Sequence, residues 1–410
     1  MFFTRLINFY ARANLILLIL SGIILGILVG LFAGPFVDTT KILGSLFVGA
    51  LKGIAPVLVF ILILTAISAK NIETGSGQIK KVLILYLIST FSASCCAVFA
   101  SFTFPTFLDT LQGIEKVASS SSPKSISEVF GGLLFSMVEN PVKAISSGNY
   151  LGILTWSIAA GFALRAASPA AKEIFSDVNE GTIKIVRFIV RLAPFGIFGL
   201  VSDSVHQTGI SSLYSYLHLL AVLLGTMFFV ALIVNALIVY FVTRKNPYPL
   251  IWICLKHSAI FAFFTRSSAA NIPVNMALAG RLNIDKELYS VSIPLGATIN
   301  MAGAAVTIAV LSLAAVHTLN IPVTFTQAIL LCILSTLAAC GASGVAGGSL
   351  LLIPLACSLF GIGEDISLQV VAIGFIIGVL QDSVETALNS STDVLLSAVC
   401  SQNELNLKGL

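Results

Sequence analysis

The sequence predicts an all-α polytopic membrane protein with about eight transmembrane helices plus two re-entrant helical hairpins. Three observations carry this: an apolar composition, long unbroken apolar runs in the first half, and interrupted ones in the second. Of 410 residues, 57% are hydrophobic and 10% charged, against about 25% charged in an ordinary soluble protein. The mean hydropathy is +1.02. A soluble fold of this length cannot hide so much apolar surface, and in lipid only helices and closed barrels satisfy their own backbone. The runs last roughly 18 to 25 residues, the length a helix needs to cross. They do not alternate, which excludes a barrel of strands about ten residues long.

In chain order, Arg5 and Arg12 precede an apolar run from Leu15 to Phe32. It is too long for the core of a cleaved leader and reads as a first transmembrane helix that stays. Further apolar segments follow near 43–69, 82–107, 150–168, 183–203 and 215–243. With a cytoplasmic N-terminus, the second, fourth and sixth segments end inside. They are followed by Lys70, Lys80 and Lys81, by Arg165 and Lys172, and by Arg244 and Lys245, as the positive-inside rule requires. The Ser-rich loop at 108–149 reads as an extracytoplasmic insertion. The net charge is +4, with basic residues at segment ends, where they set topology in a lipid bilayer; no nucleic-acid partner is expected. The 7 cysteines lie largely in apolar runs and show no metal-ligand spacing. No linker marks a second soluble domain. Residues 1–249 read mainly as scaffold, 250–400 as the working core and 401–410 as a cytoplasmic tail.

From about Leu250 the pattern changes. The segment Leu250–Arg281 is interrupted by Thr265-Arg266-Ser267-Ser268, with Asn271 and Pro273 beyond. Pro273 suits the first turn of a new helix, since that position cannot use the N–H it lacks. Helix, serine turn, helix is the reading. The segment Phe325–Phe360 is interrupted by Gly341, Gly344, Gly347 and Gly348; each glycine inside a helix costs about 1 kcal/mol relative to alanine, so a second hairpin is expected. Between the two, Glu287–His317 carries Thr298, Asn300 and Gly303 in mid-span. Local unwinding is expected there, which the membrane tolerates only beside a cavity or inside protein.

The last segment, about Leu368 to Val399, carries Asp382, Glu385, Thr386, Asn389 and Asp393. At roughly 100° per residue all five fall within about 60° of one line on the helix surface. A charge at the bilayer centre costs on the order of 3 kcal/mol, so the stripe must face a cavity, a cation or a partner. Two interrupted segments and a polar stripe are the pattern of a secondary transporter's midplane site. Half-helix N-termini suit an anion such as an amino-acid carboxylate. Unwound carbonyls, Asn389 and Asp393 suit a hard cation such as sodium, and Asp382 suits a substrate ammonium.

In their order, Thr265-Arg266-Ser267-Ser268, Asn300-Met301-Ala302-Gly303, Gly341-Ala342-Ser343-Gly344-Val345 and the stripe from Asp382 through Thr386 and Asn389 to Asp393 resemble the glutamate-transporter (dicarboxylate/amino acid:cation symporter) family. The resemblance is nearest to its bacterial sodium/serine–threonine branch. It implies a homotrimer in the bacterial inner membrane, both termini cytoplasmic, with a trimerising scaffold and a transport domain that moves as an elevator. It implies no enzymatic activity and a co-transported sodium ion. Ser267, Ser268, Gly344, Val345, Asp382, Glu385, Thr386 and Asn389 would line the substrate site. Gly296, Thr298, Asn300, Met301, Asn389 and Asp393 would hold sodium. Acidic-substrate relatives carry an arginine where this chain has Glu385, an aspartate where it has Ala302, and a threonine where it has Ala304. These departures imply small neutral amino acids, serine or threonine, over the alternative of a dicarboxylate or acidic amino-acid carrier of the same fold. Glu385 is expected either to pair with Arg266 or to face a small substrate hydroxyl.

Overall fold

The computed structural model describes residues 15–68, 77–108, 135, 137–209, 211–342, 347–402, 405 and 407. Its helices run α1 (Leu15–Phe32), α2 (Gly34–Ser68), α3 (Gly77–Thr103), α4 (Pro141–Ser147), α5 (Tyr150–Leu164), α6 (Pro169–Arg191) and α7 (Ala193–Thr208). Next comes α8 (Ser211–Phe229), joined by a π-turn, Val230–Val234, to α9 (Asn235–Thr243). Then follow α10 (Tyr248–Cys254), a π-turn at Leu255–Ala259, α11 (Ile260–Thr265), α12 (Ser268–Arg281), α13 (Lys286–Ile299) and α14 (Ala302–Thr318). The chain closes with α15 (Phe325–Ala339), a 3₁₀ turn at Leu350–Leu352, α16 (Ile353–Ser358) and α17 (Glu364–Cys400). Most of the insertion expected at 108–149, together with Arg5, Arg12 and Lys70, lies outside the described residues.

Six of the described helices are long and apolar enough to cross a membrane, or seven if α6 and α7, bent by 48°, count as one span. One of the six, Tyr248–Thr265, is the first arm of the serine hairpin. Setting it aside and adding the bent pair with the shorter apolar helices α1 and α5 recovers eight crossings and two hairpins.

Two boundaries differ from the sequence pattern for a physical reason. The second segment begins at Gly34 rather than near 43, running straight through Asp38, Thr39, Thr40 and Lys41. Two of these polar groups meet α7: Lys41 Nζ lies 3.3 Å from Asp203 Oδ2, and Thr40 Oγ1 lies 2.6 Å from Ser202 Oγ. The fifth segment begins at Pro169, behind an Ser168 cap, and not at 183. Its first half is a charged amphipathic helix, so no apolar run betrays it. The bend to α7 falls at Leu192, with a proline in the first turn beyond.

Helices α1, α2 and α7 pack closely through glycine. A methyl on Gly26 would lie 2.9 Å from the Phe198 carbonyl oxygen, and one on Gly30 2.8 Å from that of Ser202. On the facing side, Gly199 abuts the Thr40 carbonyl and the Gly44 amide. Small residues that let backbones touch are the ordinary cement of membrane helices.

Around the centre the pattern inverts. Helix α14 is buried continuously from Ala302 to Val316, wrapped by α3, α8, α15, α16 and α17. The hairpins form where the sequence interrupts them. In the first, α11 ends at Arg266 in a left-handed conformation (φ 49°), and Ser267 starts α12 by accepting from the Ala270 amide at 3.2 Å. Pro273 therefore sits in the second turn of α12, inside the helix, and not in the first turn as its chemistry suggests, because the serine cap starts the helix earlier. In the second hairpin, α15 opens with a reciprocal Thr324–Gln327 capping box, and the returning arm begins at Leu350.

Candidate functional site

The broken helix and the polar stripe face each other. The helical backbone stops at Asn300 (φ −89°, ψ 72°) and Met301 (φ −110°, ψ 53°) and restarts at Ala302. Glycines on either side admit α17. A methyl on Gly296 would lie 2.5 Å from Asp393 Oδ1, and one on Gly303 2.9 Å from the Glu385 carbonyl oxygen.

At this break the predicted cation residues converge. Asn300 donates from Nδ2 to Asp393 Oδ1 at 2.9 Å. Asn389 accepts from the Gly303 amide at 2.7 Å and donates to Met301 Sδ at 3.3 Å. The Gly296 carbonyl accepts the Asn300 amide at 2.9 Å, one of the two bonds its lone pairs allow. Among the described residues two buried oxygens find no partner here, Asn300 Oδ1 and Asp393 Oδ2. Buried oxygens left bare are costly, and a carboxylate beside an amide carbonyl at an unwound backbone is a donor set for a hard cation. Thr298 stands apart: its side chain is exposed and donates to the Leu295 carbonyl.

Nearer the N-terminal end of α17 lie the predicted substrate residues. Arg266, at the first hairpin's tip, faces Asp382 with Nε 3.7 Å from Oδ2. The Gly347 amide, beyond the second hairpin's tip, donates to Asp382 Oδ1 at 3.3 Å. Arg266 thus pairs with Asp382 and not with Glu385, the partner considered from sequence. Glu385 instead accepts at Oε2 from Thr307 Oγ1 (2.7 Å), Ser349 Oγ (2.8 Å) and Gln381 Nε2 (2.5 Å). Thr386 turns its hydroxyl back to the Asp382 carbonyl at 2.8 Å. Ser268 is buried, while Gly344 and Val345 lie outside the described residues.

Several participants are absent from the sequence-based set. Ser258, Asn271, Asn275 and Ser390 tie both arms of the first hairpin to α17: Asn271 Nδ2 donates to Ser390 Oγ at 2.7 Å, Asn275 Nδ2 to the Ser390 carbonyl at 2.9 Å, and Ser258 to Asn275 Oδ1. Tyr86 on α3 donates at 3.2 Å to the carbonyls of Ser292 and Asp393. The available signals were Asn271 and Asn275 one helical turn apart in mid-span, and Gln381 one turn before Glu385. Nothing in the apolar surroundings of Tyr86 marks it out, and Ser258, next to Lys256 and His257, reads as part of a polar segment start.

A cavity of about 20 Å³ bordered by Arg266, Gly347, Phe375 and Asp382 has room for a single water. A far larger one, about 760 Å³, lies between α3 and α8 against Cys95, Phe99, His218 and Phe229. It touches none of the candidate residues and is apolar, so size does not locate the chemistry here. Among the described residues no three His, Cys, Asp or Glu side chains gather as a metal cluster. The hard oxygens are those of amide, backbone and single carboxylates.

The sequence model of the sodium:dicarboxylate symporter family matches residues 15–403. The chain belongs to that family. Two serine/threonine transporters of Campylobacter jejuni strains are each 63% identical over 404 residues, covering 98% of this chain and 99% of the relative. A third, from the subspecies doylei, is 62% identical over the same length. The protein is accordingly a polytopic membrane symporter, and its relatives are transporters, not enzymes.

Proposed function

We propose that the chain couples inward sodium movement to the import of small neutral amino acids, serine and threonine. The observation that carries this is the pair of bare buried oxygens, Asn300 Oδ1 and Asp393 Oδ2, set at a helix break beside the polar stripe. Asn389, Met301 and the Gly296 carbonyl complete the surroundings, and Thr298 contributes through its backbone carbonyl. The names of the Campylobacter relatives support the substrate.

On this reading Asp382 receives the substrate ammonium. Its contact with Arg266, at 3.7 Å, is long for a charge-assisted bond of about 2.7–2.9 Å and leaves acceptor capacity. Thr386 and Asn389 stand one and two turns along the same face, with Ser267, Ser268, Gly344 and Val345 closing over the carboxylate from the hairpin tips. An acidic side chain would meet Glu385 where it needs a cation, which disfavours the dicarboxylates of the family's description.

The movement proposed is an elevator, residues 250–400 sliding against a scaffold drawn mainly from 1–249, in a bacterial inner membrane with both termini and the 401–410 tail cytoplasmic. A homotrimer is supported by α6, which exposes Ile174, Val178, Ile185 and Phe188. With Gly181 between them, these positions follow the alternating four-and-three step of a helix–helix seam, on a helix otherwise rich in charge.

The deciding experiment is radiolabelled serine uptake into proteoliposomes with and without an inward sodium gradient, competed by excess aspartate. Sodium-dependent uptake that aspartate leaves intact is expected. Sodium-independent uptake, or strong inhibition by aspartate, overturns the proposal.

A further inference from the structure

We propose that Glu364 and the turn at Gly148 form a catch that holds the core at one end of its stroke; this rests on the elevator motion proposed above. Glu364 opens α17, in the core. Gly148 closes α4 and stands two residues before α5, in the scaffold. A methyl on Gly148 would lie 2.5 Å from Glu364 Cδ and 2.6 and 2.7 Å from its two carboxyl oxygens. The carboxyl group therefore rests on bare backbone beside the start of α5, the positive end of that helix's dipole. The turn that receives it is held firmly. The amides of Gly148 and Asn149 both donate to the Ala144 carbonyl. Asn149 caps α5 by accepting from the Gly152 amide at 3.2 Å and donates to Glu139 Oε2 at 2.7 Å. Glu139 pairs with Lys143 at 2.7 Å, and its carbonyl accepts from Trp156 Nε1 at 2.6 Å. Helix α5 is in turn pressed on α2, where a methyl on Gly161 would lie 3.0 Å from the Leu64 carbonyl oxygen.

Simpler explanations fall short. An acid in the first turn of a helix is ordinary, but that does not set it on the backbone of another helix. The left-handed backbone at Gly148 (φ 66°) favours glycine, yet asparagine also serves there, as Asn283 (φ 60°) and Asn320 (φ 53°) do in this chain. What excludes every side chain at 148 is the Glu364 carboxyl. Nor does the contact belong to a filled seam. The adjoining residue Asp365, with Gln369, borders a cavity of about 610 Å³ whose far wall includes Lys41, Gly199 and Asp203 of the scaffold. Phe47 and Phe375 also meet across this divide, with ring centroids 5.5 Å apart, but apolar rings can slide past one another. A carboxyl seated on a glycine fits one register of the two bodies and must leave it whenever the core moves.

The test follows exchange of labelled external serine for unlabelled internal serine in proteoliposomes with equal sodium on both sides, which reads movement of the loaded core. Gly148→Cys with Glu364→Cys, bridged by a short bifunctional methanethiosulfonate, should lose exchange about 10-fold or more against wild type given the same reagent, and regain it with dithiothreitol. A bridged protein that exchanges as fast as the unbridged one shows that the two positions need not part, and overturns the inference. Single variants decide the matter should the double one fail to reach the membrane. Glu364→Ala and Gly148→Asn should each speed exchange about 2- to 5-fold, the worth of a partly exposed charged contact, because the docked state becomes easier to leave. Combined, they should speed it no further than Glu364→Ala alone, since Gly148→Asn acts by displacing that carboxyl. Backbone strain at 148 would instead add its effect in either background. Single variants that leave exchange unchanged or slow it, or effects that multiply, overturn the inference and leave the function standing. A wild type that exchanges no serine overturns the function itself.

Discussion

Helices α1, α2 and α7 and the ring around the α13–α14 break are both buried contacts in one chain, yet they are held by opposite means. In the first, glycines bring backbones together: Gly26 against Phe198, Gly30 against Ser202, Gly199 against Thr40. In the second, side chains do the joining, with Asn271 and Asn275 bonded to Ser390 and Asn300 to Asp393. Glycine recurs there at Gly296 and Gly303, but to admit the Asp393 carboxylate and the α17 backbone. Backbone contact tolerates no added atom, whereas a hydrogen-bonded network can be loosened and remade. The first suits a rigid frame, the second a site that must bind and release.

The contrast predicts where substitutions act. Gly199→Val should have the largest effect. It drives a side chain into the α2 backbone, costs about 3 kcal/mol, and should show as a lower unfolding temperature and loss of monodisperse protein in detergent. Asp393→Ala should leave that profile close to wild type while raising the sodium concentration for half-maximal uptake about 10- to 100-fold. An unchanged sodium dependence would remove Asp393 from the cation site. Asn275→Leu removes the acceptor of the Ser258 hydroxyl and a donor to Ser390, leaving both to Asn271; at about 0.6 to 1.7 kcal/mol for each membrane hydrogen bond, a loss near 2 kcal/mol is expected, with weakened uptake, both measurable on one preparation. Leu25→Ala, at an exposed position on α1, should change stability by less than about 0.5 kcal/mol. If it proved as damaging as Gly199→Val, close backbone contact would not be what sets the frame apart.

Sequence revealed what depends on being polar where lipid forbids it. The serine tip, the glycine run, the break at Asn300–Met301 and the spacing of Asp382 to Asp393 all announce themselves by violating an apolar background. Asn300, Asn389 and Asp393 meet as that pattern implies. What stayed hidden was polar chemistry placed in unremarkable company. Ser258 lies within a π-turn that no residue pattern signals, and Tyr86 looks like any aromatic in an apolar helix. Thr307 and Ser349 gain significance only once three elements are folded against Glu385. The start of α2 was obscured for the opposite reason: Thr40 and Lys41 look like a loop until α7 supplies their partners. Pro273 misled because a local rule for proline yielded to a stronger cap at Ser267.

The enclosed helix α14 carries an implication for reading membrane sequences. The segment from Ala302 to Val316 is buried throughout, yet the span it belongs to, Lys286–Thr318, is apolar enough to cross a membrane by length and composition, so sequence alone does not tell a helix wrapped in protein from one that faces lipid. Its many alanines, Ala302, Ala304, Ala305, Ala309, Ala314 and Ala315, keep the rod slender enough for neighbouring helices to close around it. The burial of this helix thus depends on elements from both sides of it in the chain, α3 and α8 before it and α15, α16 and α17 after it.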